Sequence, residues 1–184
     1  MYTSYERWMR DIARKLLEEK RWGRFDMDES VLEHSFKMAW IVQLMLALED
    51  SMGNPHRLKY FWLLQCAVNH DLAEAVVGDK VKPEVDWKHE QEEKAAYTRL
   101  LWGGIPHHLH SFFPQPLDRE PNWNYAERRF WEAAEHIGYA MFACEEMRQG
   151  DIRFVEVWKS CEELLRKRAK EFYSVQMLTV ALYD

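Results

Sequence analysis

Val68-Asn69-His70-Asp71-Leu72-Ala73-Glu74-Ala75-Val76-Val77-Gly78-Asp79 sets four groups able to bind a metal or move a proton inside a segment that otherwise reads as buried helix. Phe61, Leu64, Ala67, Val68, Leu72 and Ala75 recur at helical spacing, and Asp71 falls in the same apolar stripe three residues after Val68. A bare charge is not buried in such a face unless it is paired or coordinates a cation. Asp71 therefore calls for a metal ion or for a partner from another helix. The pattern predicts one helix over about residues 56–77, on which His70 and Glu74 share a face and Asp71 and Glu74 are neighbours. Gly78-Asp79 ends it, and Lys80-Val81-Lys82-Pro83 opens a loop with two further cations.

Upstream, Tyr5, Trp8, Ile12, Leu16 and Leu17 mark an amphipathic helix over residues 4–20. A loop over residues 21–29 follows, mixing the cations Arg21 and Arg24 with Trp22 and Phe25. It reads either as a solvated connection or as the lip of a substrate site. Ser30-Val31-Leu32-Glu33 matches a capping box, so His34 lies in the first turn of the next helix. Leu32, Phe36, Ala39, Val42, Met45 and Leu46 carry that helix to about residue 50, and Met38, Ile41 and Met45 share the side of His34, which thus faces inward. Ser51-Met52-Gly53-Asn54-Pro55 breaks it.

Downstream, residues 84–102 form a charge-rich helix whose His89, Glu90, Glu92 and Glu93 read as a mostly solvated face. Gly103-Gly104-Ile105-Pro106 stops it, and four prolines make the stretch to Pro121 irregular. His107, His108 and His110 lie there without a carboxylate at ligand spacing, so they read as a patch rather than a metal site. A long helix covers about residues 124–149, with Gly150 as its cap and Glu135 among Trp131, Ala134 and Gly138; a last one covers residues 151–173. The count is five or six helices with no convincing strand, repeat or low-complexity tract, an all-α bundle.

Composition agrees. A chain of 184 residues suits one domain, and 47% hydrophobic with 30% charged residues and only 7 Gly and 6 Pro suits a helical one. The net charge of −6, without a basic stripe, argues against long nucleic acid as a partner but leaves room for a small phosphate. Cys66, Cys144 and Cys161 are odd in number and widely spaced, which implies free thiols and a reducing compartment, the cytoplasm. No stretch approaches about 18 uninterrupted apolar residues, so no membrane span is expected. Most of the nine Trp are expected to fill core.

The order of His34 at a helix start, His70-Asp71 later and a carboxylate some 60 residues on resembles the H…HD…D arrangement of HD-domain metal-dependent phosphohydrolases. Glu29-Ser30-Val31-Leu32-Glu33-His34-Ser35, His70-Asp71-Leu72-Ala73-Glu74 and Gly78-Asp79 bring it closest to the small HD 5′-deoxynucleotidases, over about residues 20–150. Glu135 stands where that family carries its last metal-binding Asp, one methylene longer in the arm; Asp151 is the fallback donor. Arg21-Trp22 resembles the family's substrate-contacting pair but stands closer to the first His, so Arg24 is an alternative phosphate contact.

The resemblance implies a single HD-type helical domain of five to seven helices. It also implies one divalent ion (Co²⁺, Mn²⁺, Zn²⁺ or Fe²⁺) held by His34, His70, Asp71 and Glu135, a donor set such ions accept. Glu74 would position or deprotonate the attacking water, Arg21 or Arg24 with Lys80 would neutralise the phosphate, Asp79 would meet the sugar hydroxyl and Trp22 would stack on base or sugar. The substrate would be a deoxynucleoside monophosphate, cut to nucleoside and phosphate by a homodimer or larger homo-oligomer. Two other readings stand beside it: a deoxynucleoside triphosphate triphosphohydrolase, and a metal-binding HD module without catalysis.

Overall fold

A computed structural model describes residues 4–21, 29–80, 87–113 and 123–183. They form α1 (Ser4–Glu18), α2 (Val31–Ser51), α3 (Tyr60–Asn69), α4 (Glu74–Val77), α5 (Trp87–Gly104), α6 (Tyr125–Arg148), α7 (Val155–Arg168) and α8 (Tyr173–Tyr183). Short 3-10 segments at His107–Phe112 and Ile152–Phe154 complete the set, and no strand occurs among the described residues. The class is all-α; α4 is a single turn, which leaves seven helices of full length. The contacts divide into two compact units, Met1–Phe36 with Gln65–Arg119 and Lys37–Leu64 with Glu120–Asp184.

In the first unit α1, α4 and α5 pack on one another. Ile12 and Leu16 from α1, Val31 from α2, Leu72, Ala73 and Ala75 around α4, and Ala96, Tyr97 and Leu101 from α5 share its core. Removing such side chains from water is the main source of stability, at about 25 cal/mol per Å². Trp8 is partly buried against this core and its indole Nε1 donates to the Leu100 carbonyl at 3.0 Å. The capping box is formed as expected: Ser30 N donates to Glu33 Oε2 at 2.8 Å and Glu33 N donates to Ser30 Oγ at 3.2 Å.

The second unit is built on α6, which packs against α7 and α8. Asn124 and Glu127 cap α6 reciprocally, and Glu127, fully buried, also accepts from the backbone of Lys59 at 3.2 Å, just ahead of α3. One carboxylate thereby serves two helix N-termini, where negative charge is favoured. Glu49 of α2 is likewise buried and accepts from both the backbone N and the Oγ of Ser174, at 2.8 and 2.7 Å.

Three expectations change. The helix expected over residues 56–77 is broken at residues 70–73, with Leu72 N donating to Asn69 O and Glu74 N to Asp71 O, the i→i+3 bonds of turns rather than of an α-helix. Its inner face is also rotated: Leu63, Cys66 and Ala67 are buried, while Phe61 and Val68 are 67% and 58% exposed. The helix expected over residues 151–173 is a 3-10 turn and α7, which ends at Arg168, and a further helix not expected from the sequence, α8, begins at Tyr173. Exposed Phe36, Trp40, Trp87 and Trp102 show that the aromatics are less uniformly core than composition suggests; of the Trp residues, Trp123 and Trp131 are buried. By length and composition α2 passes as a membrane span, but it buries Val31, Met38, Val42, Met45 and Leu46 as core.

Gly104 has no room for a side chain, because a Cβ would overlap the Trp8 ring, whereas one on Gly103 meets nothing within 4 Å. Gly104→Ala is expected to lower stability by about 1–3 kcal/mol through overpacking, and Gly103→Ala to leave it unchanged or raise it by up to about 1 kcal/mol through helix propensity. Urea unfolding of the two variants decides. Burial also pushes the Cys161 thiol from 9.0 up to about 12. Its folded value exceeds its unfolded one, so this stability is fully present below pH 9.0 and is lost as pH climbs through about 12. Cys161→Ala is expected to flatten the alkaline part of the stability curve, read from thermal melts at about pH 8 and about pH 10.

Candidate active site

Four short pieces of the first unit build the site: the residues after α1, the entry to α2, the turn between α3 and α4, and the residues after α4. A backbone seam joins the first two. Val31 N donates to Glu19 O at 3.0 Å and Arg21 N to Glu29 O at 2.8 Å, around a single bridge between Lys20 and Ser30. The seam sets Arg21 beside the first turn of α2, which presents His34.

His70 and Asp71 sit in the turn rather than on a helix face, and the turn aims both inward. His70 Nδ1 lies 2.9 Å from the Ala67 carbonyl, an acceptor only, so that nitrogen carries a proton. His70 Nε2 is 3.1 Å from Asp71 Oδ2, and His34 Nε2 is 3.8 Å from the same oxygen. His34 Nδ1 faces Glu29 Oε2 at 3.9 Å, and the two imidazoles stand 5.4 Å apart, centre to centre. Ligand atoms from His34, His70 and Asp71 lie within 4.8 Å of one another, the one such group among the described residues.

This donor set fits a divalent cation. With Nδ1 donating to Ala67 O, His70 turns Nε2 toward Asp71 Oδ2 at 3.1 Å, a spacing satisfied by a shared proton or by a cation bound to both. Two nitrogens and an oxygen suit a borderline ion, and Ala67 O and Glu29 are the outer partners that orient such ligands. Burial alone would raise the Asp71 carboxyl, but His70 and Arg21 beside it, a hydrogen bond from His70, and His34 outweigh burial and hold it well below the usual carboxylate range.

Arg21 is the hub of the remaining charges. Its buried Nη1 lies 2.8 Å from Asp71 Oδ2, 3.5 Å from Asp79 Oδ1 and 3.7 Å from Glu74 Oε1. Glu74 opens α4 and is buried, with Oε2 lacking a hydrogen-bond partner among the described residues. Burial, then Asp71, with smaller contributions from Asp79 and Glu93, raises the Glu74 carboxyl far above its ordinary value against the pull of Arg21. Glu74 is therefore a group with a high affinity for a proton. Gly78, at φ 79°, ends α4 by donating its N–H to Glu74 O, and Asp79 N donates to Glu19 Oε1 at 3.1 Å.

The structure thus brings together His34, His70, Asp71, Glu74, Asp79 and Arg21. Lys80 is described and exposed; Trp22, Arg24 and Lys82 lie outside the described residues. Glu135 is half-buried on α6 and belongs to the second unit. Asp151 caps the 3-10 turn that follows α6, accepting from Arg153 N at 3.0 Å and pairing with the Arg153 guanidinium. His107 and His110 meet exposed Trp102 edge-on and take no part in the His34 group.

Sequence reasoning assigned no individual role to three residues that lie against this cluster, although Glu29 stands in the stretch that carries the resemblance. Glu19 and Glu29 act through contacts 60 and five residues away. His89 was read as part of a solvated face, yet it is 2% exposed and lies 3.0 Å from Glu93 Oε1. Burial and then Asp71, together with Glu90, raise the Glu93 carboxyl against the opposing His89. The signal available was the i,i+4 spacing of His89 and Glu93 on the side of α5 that carries buried Ala96.

The family model described as 5′-deoxynucleotidase YfbR-like matches residues 9–182 of this chain. No curated protein matches it.

Arg21→Ala would leave Asp71, Glu74 and Asp79 without their shared cation. In metal-free protein it is expected to destabilise by about 3–5 kcal/mol, the range for removing one partner of a buried pair. Urea unfolding checks this, and a loss below about 1 kcal/mol, the range of an exposed pair, would show that solvent already screens the cluster.

Proposed function

We propose, from the fact that the chain belongs to the YfbR-like 5′-deoxynucleotidase family of HD-domain hydrolases, that it is a divalent-metal-dependent phosphohydrolase releasing inorganic phosphate from deoxynucleoside monophosphates. The observation supporting it is the convergence of His34, His70 and Asp71 beside the buried Glu74. One ion of Co²⁺, Mn²⁺, Zn²⁺ or Fe²⁺, when bound, supplies Lewis acidity toward the phosphoryl group and a more acidic water. His34, His70 and Asp71 would hold it.

Glu74, buried beside Asp71 at the start of α4, takes the proton of the attacking water. Water oxygen bonds to phosphorus, the bond from phosphorus to the sugar's 5′ oxygen breaks, and the proton on Glu74 passes to that leaving oxygen. Arg21, or Arg24, acts with Lys80 to offset the phosphate charge. Asp79 accepts a hydrogen bond from the sugar hydroxyl, and Trp22 stacks on base or sugar. By the same reading the protein works in the cytoplasm as a homodimer or larger homo-oligomer.

A triphosphate substrate would need spare cations. Arg21 is already engaged by three carboxylates, and the family match favours the monophosphate.

The deciding experiment strips the protein of metal, restores Co²⁺, Mn²⁺, Zn²⁺ or Mg²⁺ singly, and resolves the products of deoxynucleoside mono- and triphosphates by chromatography. Phosphate from monophosphates supports the proposal; nucleoside with triphosphate moves the protein to the triphosphohydrolases; no turnover with any metal favours the non-catalytic module. His70→Ala and Asp71→Ala are expected to abolish metal binding in calorimetry while keeping helical circular dichroism. Glu74→Gln is expected to keep metal and lose about 10²- to 10⁴-fold in kcat; full activity in Glu74→Gln would remove the base from the mechanism.

A further inference from the structure

Glu19 follows α1 directly, and its backbone is tied on both sides: its N–H donates to Lys15 O at 2.9 Å and its carbonyl accepts from Val31 N at 3.0 Å. The side chain reaches across to the residues after α4. Oε1 accepts the Asp79 N–H at 3.1 Å and stands 3.2 Å from where a Cβ on Gly78 would lie. Two residues on, the Arg21 guanidinium approaches the Asp79 carboxylate at 3.5 Å. The same stretch of chain therefore grips Asp79 twice, by its main chain through Glu19 and by its side chain through Arg21.

The grip has a physical need behind it. Gly78 leaves α4 with φ 79°, which turns the next N–H away from the helix. A backbone donor shielded from water must find an acceptor, and Glu19 provides one to the partly buried Asp79 N–H. Gly at position 78 admits both the left-handed backbone and the close approach of the carboxylate.

We propose that Glu19 is a positioning residue for sugar recognition: by holding the Asp79 backbone it points the Asp79 carboxylate at the hydroxyl of the deoxyribose, which rests on the deoxynucleotide reading above. Glu19 touches no substrate. It acts through Asp79, so its loss affects the part of binding that depends on that hydroxyl.

The test uses the full-length, metal-restored protein with Glu19→Ala and with Glu19→Gln, which keeps an oxygen acceptor in the same place. Two quantities are measured: amide hydrogen exchange over residues 78–80, and kcat and KM for a deoxynucleoside monophosphate and its 2′,3′-dideoxy counterpart. Glu19→Ala is expected to exchange faster at Asp79 and to raise KM for the deoxynucleotide about tenfold, the weight of one charge-assisted hydrogen bond. Its kcat and its KM for the dideoxynucleotide are expected to stay within about twofold, and helical circular dichroism to be unchanged. Glu19→Gln is expected to match the wild type throughout. Unchanged exchange in Glu19→Ala, equal KM increases for both nucleotides, or a Glu19→Gln variant as impaired as Glu19→Ala would each overturn the role. A wild type that hydrolyses no deoxynucleotide with any metal overturns the functional premise and the sugar role with it, a failure read from turnover rather than from exchange.

Discussion

The first unit is organised around keeping Asp71 ionised while burying it. A carboxylate removed from water without compensation takes up a proton or unfolds its surroundings. Here Arg21 supplies a cation at 2.8 Å and His70 a ring nitrogen at 3.1 Å. That one requirement explains why the chain after α1 doubles back on the entry to α2: the Lys20–Ser30 bridge brings the guanidinium to a turn 50 residues further along. It also sets Glu74 apart. Both carboxylates face the same arginine, but Asp71 lies nearer and receives the histidines, so its proton affinity falls while that of Glu74 rises. Two like residues three positions apart acquire opposite tendencies.

The helix breaks decide which residues meet. Had residues 56–77 formed one helix, His70 and Glu74 would have shared a face by periodicity alone. The turn at residues 70–73 instead lets His70 spend its Nδ1 proton on Ala67 O and offer Nε2 inward, while Glu74 restarts the helix as α4. The two residues reach one locality through tertiary placement, with Arg21 paired to Asp71 and Leu72 packed in the core.

Much of this was legible in the sequence where the determinants are local. The capping box at Ser30-Glu33, the inward His34, the end of α4 at Gly78 and the left-handed Gly150 after α6 all follow from spacings of a few residues. What escaped depends on partners far along the chain. Val68 counts as apolar in any periodic template, yet Cys66 and Ala67 take the buried positions and Val68 faces solvent. The break between α7 and α8 carries no Gly or Pro; it is fastened by Glu49 on Ser174 and by His56 on the Glu171 carbonyl, across 125 and 115 residues. The core role of His89 and the reach of Glu19 to Asp79 are of the same kind.

Each compact unit is assembled from two separated stretches of chain, so neither corresponds to a segment that a ribosome finishes in one run. Every residue of the Arg21, His34, Asp71, Glu74 and Asp79 constellation is made within the first 79 residues, whereas Glu49 waits for Ser174, 125 residues later. At about 5–20 residues per second that interval is roughly 6–25 s. During it the apolar α2 emerges before Ser174, the partner of its buried Glu49, has been made.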